Sequence, residues 1–524
     1  MHRRTLLTGA AASLLAAPAI AQDLRPTTLR FVPQANLGVL DPIWTTATIT
    51  GLHGSYVFDT LYAVDSAMRP QPQMAEGHEV SADGRLWRIR LRQGLTFHDT
   101  TPVCAVDCIA SLKRWGAREP FGQLLLAVVD NWQAPDDRTI EIRLTRPFPQ
   151  LLEALGKADT SFAFIMPERL ALTDPNKQVS EMIGSGPYRF VSGEFNSGGK
   201  VVYEKFAAYI PRAEPPVWAS GGKVAHFARI EWIIIPDSAT AAAALQSGEV
   251  DWWERPLTDL QPMLAKNADI TLQIADHAGR RAMMRLNTLQ PPFNDVRLRR
   301  AVRLAVQQDS YMRAAQGNDT NLWTTCRSLW PRNTPYYADA GDAVMPGSAD
   351  RARAALKEAG YNGQTVAIIN PTDYPDIGPL GQVTAATLKE IGMTVDLRES
   401  DWGTVIQRRA SREPVEKGGW SIFHTTGTAV GLANPAMSYI VRDQGPTGWF
   451  GWWESAKAED LVQQWLYAPD EAGQNAAAGA LGALALDEAG TVPLGQFYGR
   501  TAYRKSITGI LPGPMSYPWN VRPV

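Results

Sequence analysis

The chain has 524 residues, 45% hydrophobic and 20% charged, with a formal net charge of −2. That length exceeds what one hydrophobic core holds, so two or more lobes are expected. The near-neutral charge argues against a nucleic-acid binder or a protein held electrostatically on an anionic membrane.

The N-terminus reads as an export signal. Arg3 and Arg4 precede an apolar run over residues 6–20, and Ala19-Ile20-Ala21 offers small residues for cleavage before Gln22. The run is too short for a stable membrane-spanning helix. HRRTLLTG resembles a twin-arginine signal, with Sec export the alternative. No cysteine follows the cleavage site, so no lipid anchor is indicated. Losing Arg3 and Arg4 takes the mature charge to −4, and the mature protein is expected to be soluble in the periplasm.

Residues 29–32 read as a first strand, followed by Leu40-Asp41-Pro42 and a polar loop at 44–48. Trp87, Ile89 and Leu91 alternate with Arg88, Arg90 and Arg92, the period-two pattern of a half-buried strand. Asp83-Gly84 supplies a tight turn that folds residues 78–81 back onto it. Thr101-Pro102 reads as an N-cap and first helical residue, with Val106, Ile109, Ala110 and Lys113 on one helical face. Residues 139–144 alternate as another strand. The glycines of Ile183-Gly-Ser-Gly-Pro-Tyr188 do not fit a phosphate-binding loop, because Gly186 is followed by proline.

Strands are expected at 230–235 and 250–253, around an alanine-rich helix at 239–247 stopped by Gly248. Residues 283–287 form a strand read as one crossing between lobes. Arg297, Arg299, Arg300 and Arg303 then read as the solvated face of a helix. Strand 366–370, helix 380–391 and the alternating strand 393–397 make a βαβ unit, hence an α/β sheet. Helical patterns at 459–467 and 474–486 precede Val492-Pro493-Leu494. Cys104, Cys108 and Cys326 allow at most one disulfide and are read as small buried hydrophobes. The seven histidines show no ligand-spaced pair, so no metal or other cofactor is expected.

Several of these pieces together resemble the family 5 extracellular solute-binding proteins of ABC transporters, the dipeptide- and oligopeptide-binding type. They are PQMAEGHEVSADG, LRQGLTFHDTTPV with AVDC, IGSGPY, SGEVD, and MMRLNTLQPPFNDVRLRRA. Thr100 stands where the family has glycine after His98-Asp99, and Cys108 where valine is usual.

The resemblance implies an α/β, two-lobe periplasmic binding protein fold of the large peptide-binding type II class, with an extra subdomain in the first lobe. The implied division is signal 1–21, first lobe 22–62, inserted subdomain 63–179, first lobe 180–283, second lobe 284–489, and a return to the first lobe at 490–524. It implies a monomer without catalysis, with a peptide or small-molecule ligand, ABC permease subunits as partners and no nucleic acid.

The resemblance also places the ligand between the lobes. That sets Trp44, Thr46, His53 and Tyr56 against Trp402, Trp420, His424, Thr425 and Thr426, with Trp449, Phe450, Trp452 and Trp453 as a further wall. Seventeen tryptophans fill cores as well as clefts, and His53, His98 and His424 also read as structural histidines. Peptide binders of this family carry an aspartate just after the Gly-Trp equivalent, which pairs the ligand's amino group. Here GGWSIFHTTGTAVGLANPAMSY holds no acid, which argues against a free α-amino peptide and leaves a modified peptide, sugar-like solute or opine open. The alternatives are a secreted glycan-active hydrolase with a tryptophan-lined cleft, and a binding fold kept as a sensor or chaperone partner. No Gly-x-Ser-x-Gly or His-Glu-x-x-His motif is present.

Overall fold

A computed structural model describes residues 27–159, 161–442 and 448–524. The export signal read at 1–21 lies outside them. Two large sheets dominate. A seven-stranded sheet contains Thr28–Val32 between the parallel strands Arg229–Ile233 and Trp252–Trp253. A six-stranded sheet is built around Arg280–Leu286, flanked by Ile422–Thr428 and Thr491–Phe497. A four-stranded antiparallel sheet forms the inserted subdomain.

The subdomain follows the alternation closely. In Leu86–Leu91, Trp87, Ile89 and Leu91 are buried while Arg88 and Arg90 face water. It pairs with Ala75–Val80 through the turn at Gly84, whose φ is +69°. Thr139–Leu144 pairs on its other side. The helix that follows starts later than the Thr101-Pro102 reading. It runs Ala105–Gly116, with Cys104 and Asp107 forming a reciprocal cap. Residues 101–103 instead pair back on 95–97, where the Val103 N–H donates to the Leu95 carbonyl. The shift turns Val106 to solvent and buries Ala105, Cys108, Leu112 and Trp115.

The glycines of the IGSGPY loop permit close approach. A Cβ at Gly184 would stand 2.1 Å from the Val57 carbonyl oxygen, and one at Gly186 2.6 Å from that of Tyr56. His98 is buried there, its ring bonded to the Gly186 carbonyl. All three cysteines are free, with Cys108 and Cys326 fully buried.

In the second lobe Val366–Pro371 and Val395–Ser400 are parallel and joined by the helix Gly378–Glu390, as the βαβ pattern predicts. The basic helix Val296–Ala305 is not simply a solvated face. Arg299 and Arg303 are buried and donate to the Glu488 and Leu486 carbonyls, while Arg300 pairs with Asp487. These arginines satisfy carbonyls at the negative end of the helix Glu471–Glu488, where a cation is favoured.

The chain leaves the first sheet after Ile270–Ile274 and enters the second at Arg280–Leu286, so this crossing is 275–279, not 283–287. It returns between Thr491–Phe497 and Arg500–Arg504, beyond the boundary read at 490, because Thr491–Phe497 pairs with Arg280–Leu286 in the second sheet. The crossings lie side by side: the Ala275 N–H donates to the Gly499 carbonyl at 2.9 Å. Gly279 has φ +80°, and a side chain there would meet the Phe497 carbonyl at 2.8 Å.

Thr100 holds the family's glycine position at φ +72°. A β-branched residue in the left-handed region is strained, while glycine is not. Thr100→Gly is therefore expected to stabilise the protein by about 1 kcal/mol, the strain relief exceeding glycine's extra unfolded-state entropy. Equilibrium urea unfolding measures it.

Candidate functional site

The space between the lobes has two compartments. The first leaves about 430 Å³ unfilled by atoms. Gln34, Thr46, Thr48 and Asp159 approach it from the first lobe and its subdomain. Tyr374, Trp402, Arg409, Thr425, Thr426 and Trp449 approach from the second. The second compartment, at the crossings, leaves about 630 Å³ and is lined by Glu254, Arg255, Asp276, Arg280, Asp376 and Arg500, among others.

Polar contacts join the lobes here. The Tyr374 hydroxyl donates to Gln34 Oε1 at 2.9 Å. Arg255 donates to Tyr374 Oη at 3.0 Å and to Asp376 Oδ2 at 2.9 Å. The Trp449 indole N–H and an Arg409 N–H point at Thr46 Oγ1, at 3.3 and 3.5 Å. Thr428 donates to Asp159 Oδ2 at 2.6 Å. The halves are therefore closed on each other.

Of the predicted contact residues, Thr46, Trp402, Thr425, Thr426 and Trp449 come together in the first compartment. The others do not. Trp44 packs on the first lobe, its indole N–H bonded to the Asn176 carbonyl. His53 and Tyr56 lie on the helix Thr48–Val57, buried against Tyr203 and, for Tyr56, Trp232. Trp420 and Trp452 pack on each other behind the cleft wall, and Trp453 bonds Glu488. His424 does not reach the compartment: it is buried farther along the strand under the helix Gly378–Glu390, where it bonds Thr384 Oγ1. Burial pushes His53 and His424 down to about 3, so both are neutral core histidines.

Trp420 still serves the site indirectly. Its indole N–H donates to the Arg409 carbonyl at 3.1 Å, fixing the backbone that carries Arg409. Arg409 is 2% exposed, and its guanidinium lies over Phe450 at 4.6 Å and near Trp402 and Phe423. Among the described residues it forms no ion pair, and its Nε has no hydrogen-bond partner. Burial lowers its pKa to about 10, so it remains a cation at neutral pH. Arg408-Arg409 at a helix end reads in sequence as an ordinary dipole-complementing pair. Gln34, Asp159, Arg255, Asp276, Arg280 and Tyr374 carry no motif either.

Asp159 partly answers the missing acid of the 418–439 segment. It comes from the subdomain, not from that segment, and packs against Gly431, where a Cβ would meet its Oδ2 at 2.3 Å. Asp276 lies on the first crossing. Its Oδ1 accepts from the Ala278 N–H at 2.9 Å, while Oδ2 is buried without a partner. Burial raises its pKa to about 6, partly offset by Arg280. Among the described residues no cluster of side chains could hold a metal ion, and no helix is long and apolar enough to cross a membrane.

Residues 69–448 match the profile of the bacterial extracellular solute-binding proteins, family 5 Middle. The chain belongs to this family. It is 36% identical to a probable peptide ABC transporter periplasmic-binding protein, y4tO, of Sinorhizobium fredii, over 100% of this chain and 98% of that one. It is 28% identical to the glutathione-binding protein GsiB of Pectobacterium atrosepticum, over 76% and 74%. The fold is that of the type II periplasmic binding proteins. DppA of Helicobacter pylori, solved with the peptide STSA, superposes with a TM-score of 0.80 at 21% identity, covering 95% of this chain and 98% of that one. The family is one of extracellular binders, and the hydrolase alternative finds no support among these relatives.

The solute-binding protein has an internal titration to test. The folded-state pKa of Asp276 is raised from 3.8 to about 6, so stability is lost as pH rises from about 4 through 6. Asp276→Asn keeps the Oδ1 acceptor and removes the charge. The variant is expected to be more stable than wild type at pH 7.5, by up to about 3 kcal/mol, with the difference vanishing near pH 4. Thermal melts across that range measure it.

Proposed function

We propose that this protein is the substrate-binding component of an ABC importer, and that it captures a peptide or similar small polar solute with an anionic group between its lobes. It then delivers the solute to the membrane permease. The observation that carries this reading is Arg409, a desolvated cation with no ion pair among the described residues, directed across the cleft at Thr46 of the opposite lobe. A buried charge without a partner is costly, so a solute carboxylate repays the desolvation already incurred. Arginine also suits a carboxylate geometrically, through two parallel N–H donors. Thr425 and Thr426 offer hydroxyl groups beside it, and Trp402 and Trp449 offer apolar walls.

A solute that touches both walls is gripped only when the lobes are together, so binding and closure are one equilibrium. The chain acts as a monomer in the periplasm after its N-terminal signal is removed. The names of two relatives, a peptide binder and a glutathione binder, support a peptide-like solute.

Glutathione and the tetrapeptide STSA are the first probes, with a neutral disaccharide as control. Anionic probes are expected to raise the melting temperature as concentration passes the dissociation constant, with no product formed. Arg409→Gln is expected to weaken the best probe by about 1.5–3 kcal/mol in isothermal titration calorimetry. Equal binding by wild type and Arg409→Gln, or stabilisation by the neutral sugar alone, would contradict the reading.

A further inference from the structure

The hinge compartment contains a group that the first compartment does not explain. Asp276 is 7% exposed, lines the hinge compartment between the lobes, and leaves its Oδ2 buried without a hydrogen-bond partner. The other carboxylates of that cavity are engaged. Asp376 bonds Arg255 and Gln316, and Glu254 accepts from the Gln34 N–H and the Ser516 hydroxyl. Arg280 lines the same compartment and favours the Asp276 carboxylate electrostatically, but its N–H groups are directed to Thr426 and Thr48 at 3.3–3.4 Å, with no hydrogen bond to Asp276. A buried carboxylate oxygen without a donor is unusual in a folded protein and points to a missing partner.

The charges around Asp276 say what that partner is. Three guanidiniums, on Arg255, Arg280 and Arg500, line the cavity, and Glu254 and Asp376 line it with Asp276. Asp159 acts on Asp276 as a further negative charge, and the Tyr517 phenol faces both carboxylates. Three carboxylates therefore stand against three guanidiniums in the compartment, and of the carboxylates Asp276 is the one with an oxygen that has no donor. At the other end Arg409 forms no ion pair among the described residues.

We propose that Asp276 receives a cationic, hydrogen-donating end of the solute at the hinge, so that the solute is a zwitterion lying between Asp276 and Arg409. This rests on the solute reading above. It restores a free amine as an acceptable group although the segment after Trp420 holds no acid, because the carboxylate comes from the hinge crossing. Engaging Asp276 from within the cleft also ties occupancy to the segment that must move when the lobes close.

The test compares glutathione and STSA with their N-acetylated forms, by calorimetry, on wild type, Asp276→Asn and Arg409→Gln. Acetylation is expected to weaken wild-type binding about tenfold or more, and Asp276→Asn to bind both forms equally weakly. At pH 6 the free-amine probe is expected to drive a proton off Asp276, seen as a binding enthalpy that depends on the buffer's ionisation enthalpy, and this dependence disappears in Asp276→Asn. Because that variant is expected to be the more stable protein at neutral pH, weaker binding cannot be assigned to unfolding. Binding that needs Arg409 but ignores acetylation and Asp276→Asn overturns the hinge assignment alone. Binding of neither form of either probe overturns the solute reading and this proposal with it.

Discussion

Two adjacent strands of backbone make the covalent connection between the two large sheets. The crossings at 275–279 and near 498–499 are hydrogen-bonded to each other and packed too closely at Gly279 to admit a side chain. Rigid sheets on either side cannot bend to bring the walls together, because their interiors are close-packed. Rotation is therefore concentrated in these few residues, the ordinary location of a hinge. The buried polar contacts between Gln34, Arg255, Tyr374 and Asp376 depend on this geometry, since none survives separation of the walls.

Charge placement sets the cleft apart from the rest of the interior. A guanidinium held among Trp402, Phe423 and Phe450 loses water without gaining an acid. Such an arrangement is unfavourable by itself, and its cost is balanced by packing elsewhere. Binding sites store unfavourable electrostatics in this way so that a complementary solute relieves them. The opposite wall contributes hydroxyl and amide groups, which discriminate by geometry with little net charge. Aromatic surfaces around Arg409 keep water away, which strengthens any ion pair formed with it.

Elements with strong local signals were legible in the sequence. The Trp87, Ile89, Leu91 alternation, the turn at Gly84, the βαβ unit around Gly378–Glu390 and the stop at Gly248 all depend on contacts within a few residues or on backbone conformation. Where non-local contacts compete, the reading moved. Pairing of residues 101–103 with 95–97 displaced a helix start, and a distant helix end drew Arg299 and Arg303 out of solvent.

The cleft was only half legible, for a physical reason. Sequence resemblance identified the two segments that approach each other, and Thr46, Trp402, Thr425, Thr426 and Trp449 from them line one compartment. It could not separate cleft tryptophans from core tryptophans, because composition does not say which face of an element is covered. Nor could it find Asp159, Asp276 or Arg409, whose significance lies in which charges surround them and which are absent. Local pattern by itself determined the family, the export signal as an expectation, and the α/β character of the lobes. Only the tertiary structure decided where the chain crosses, which rings line the space between the lobes and which buried charges lack a partner among the described residues, since those depend on residues more than a hundred positions apart meeting out of water.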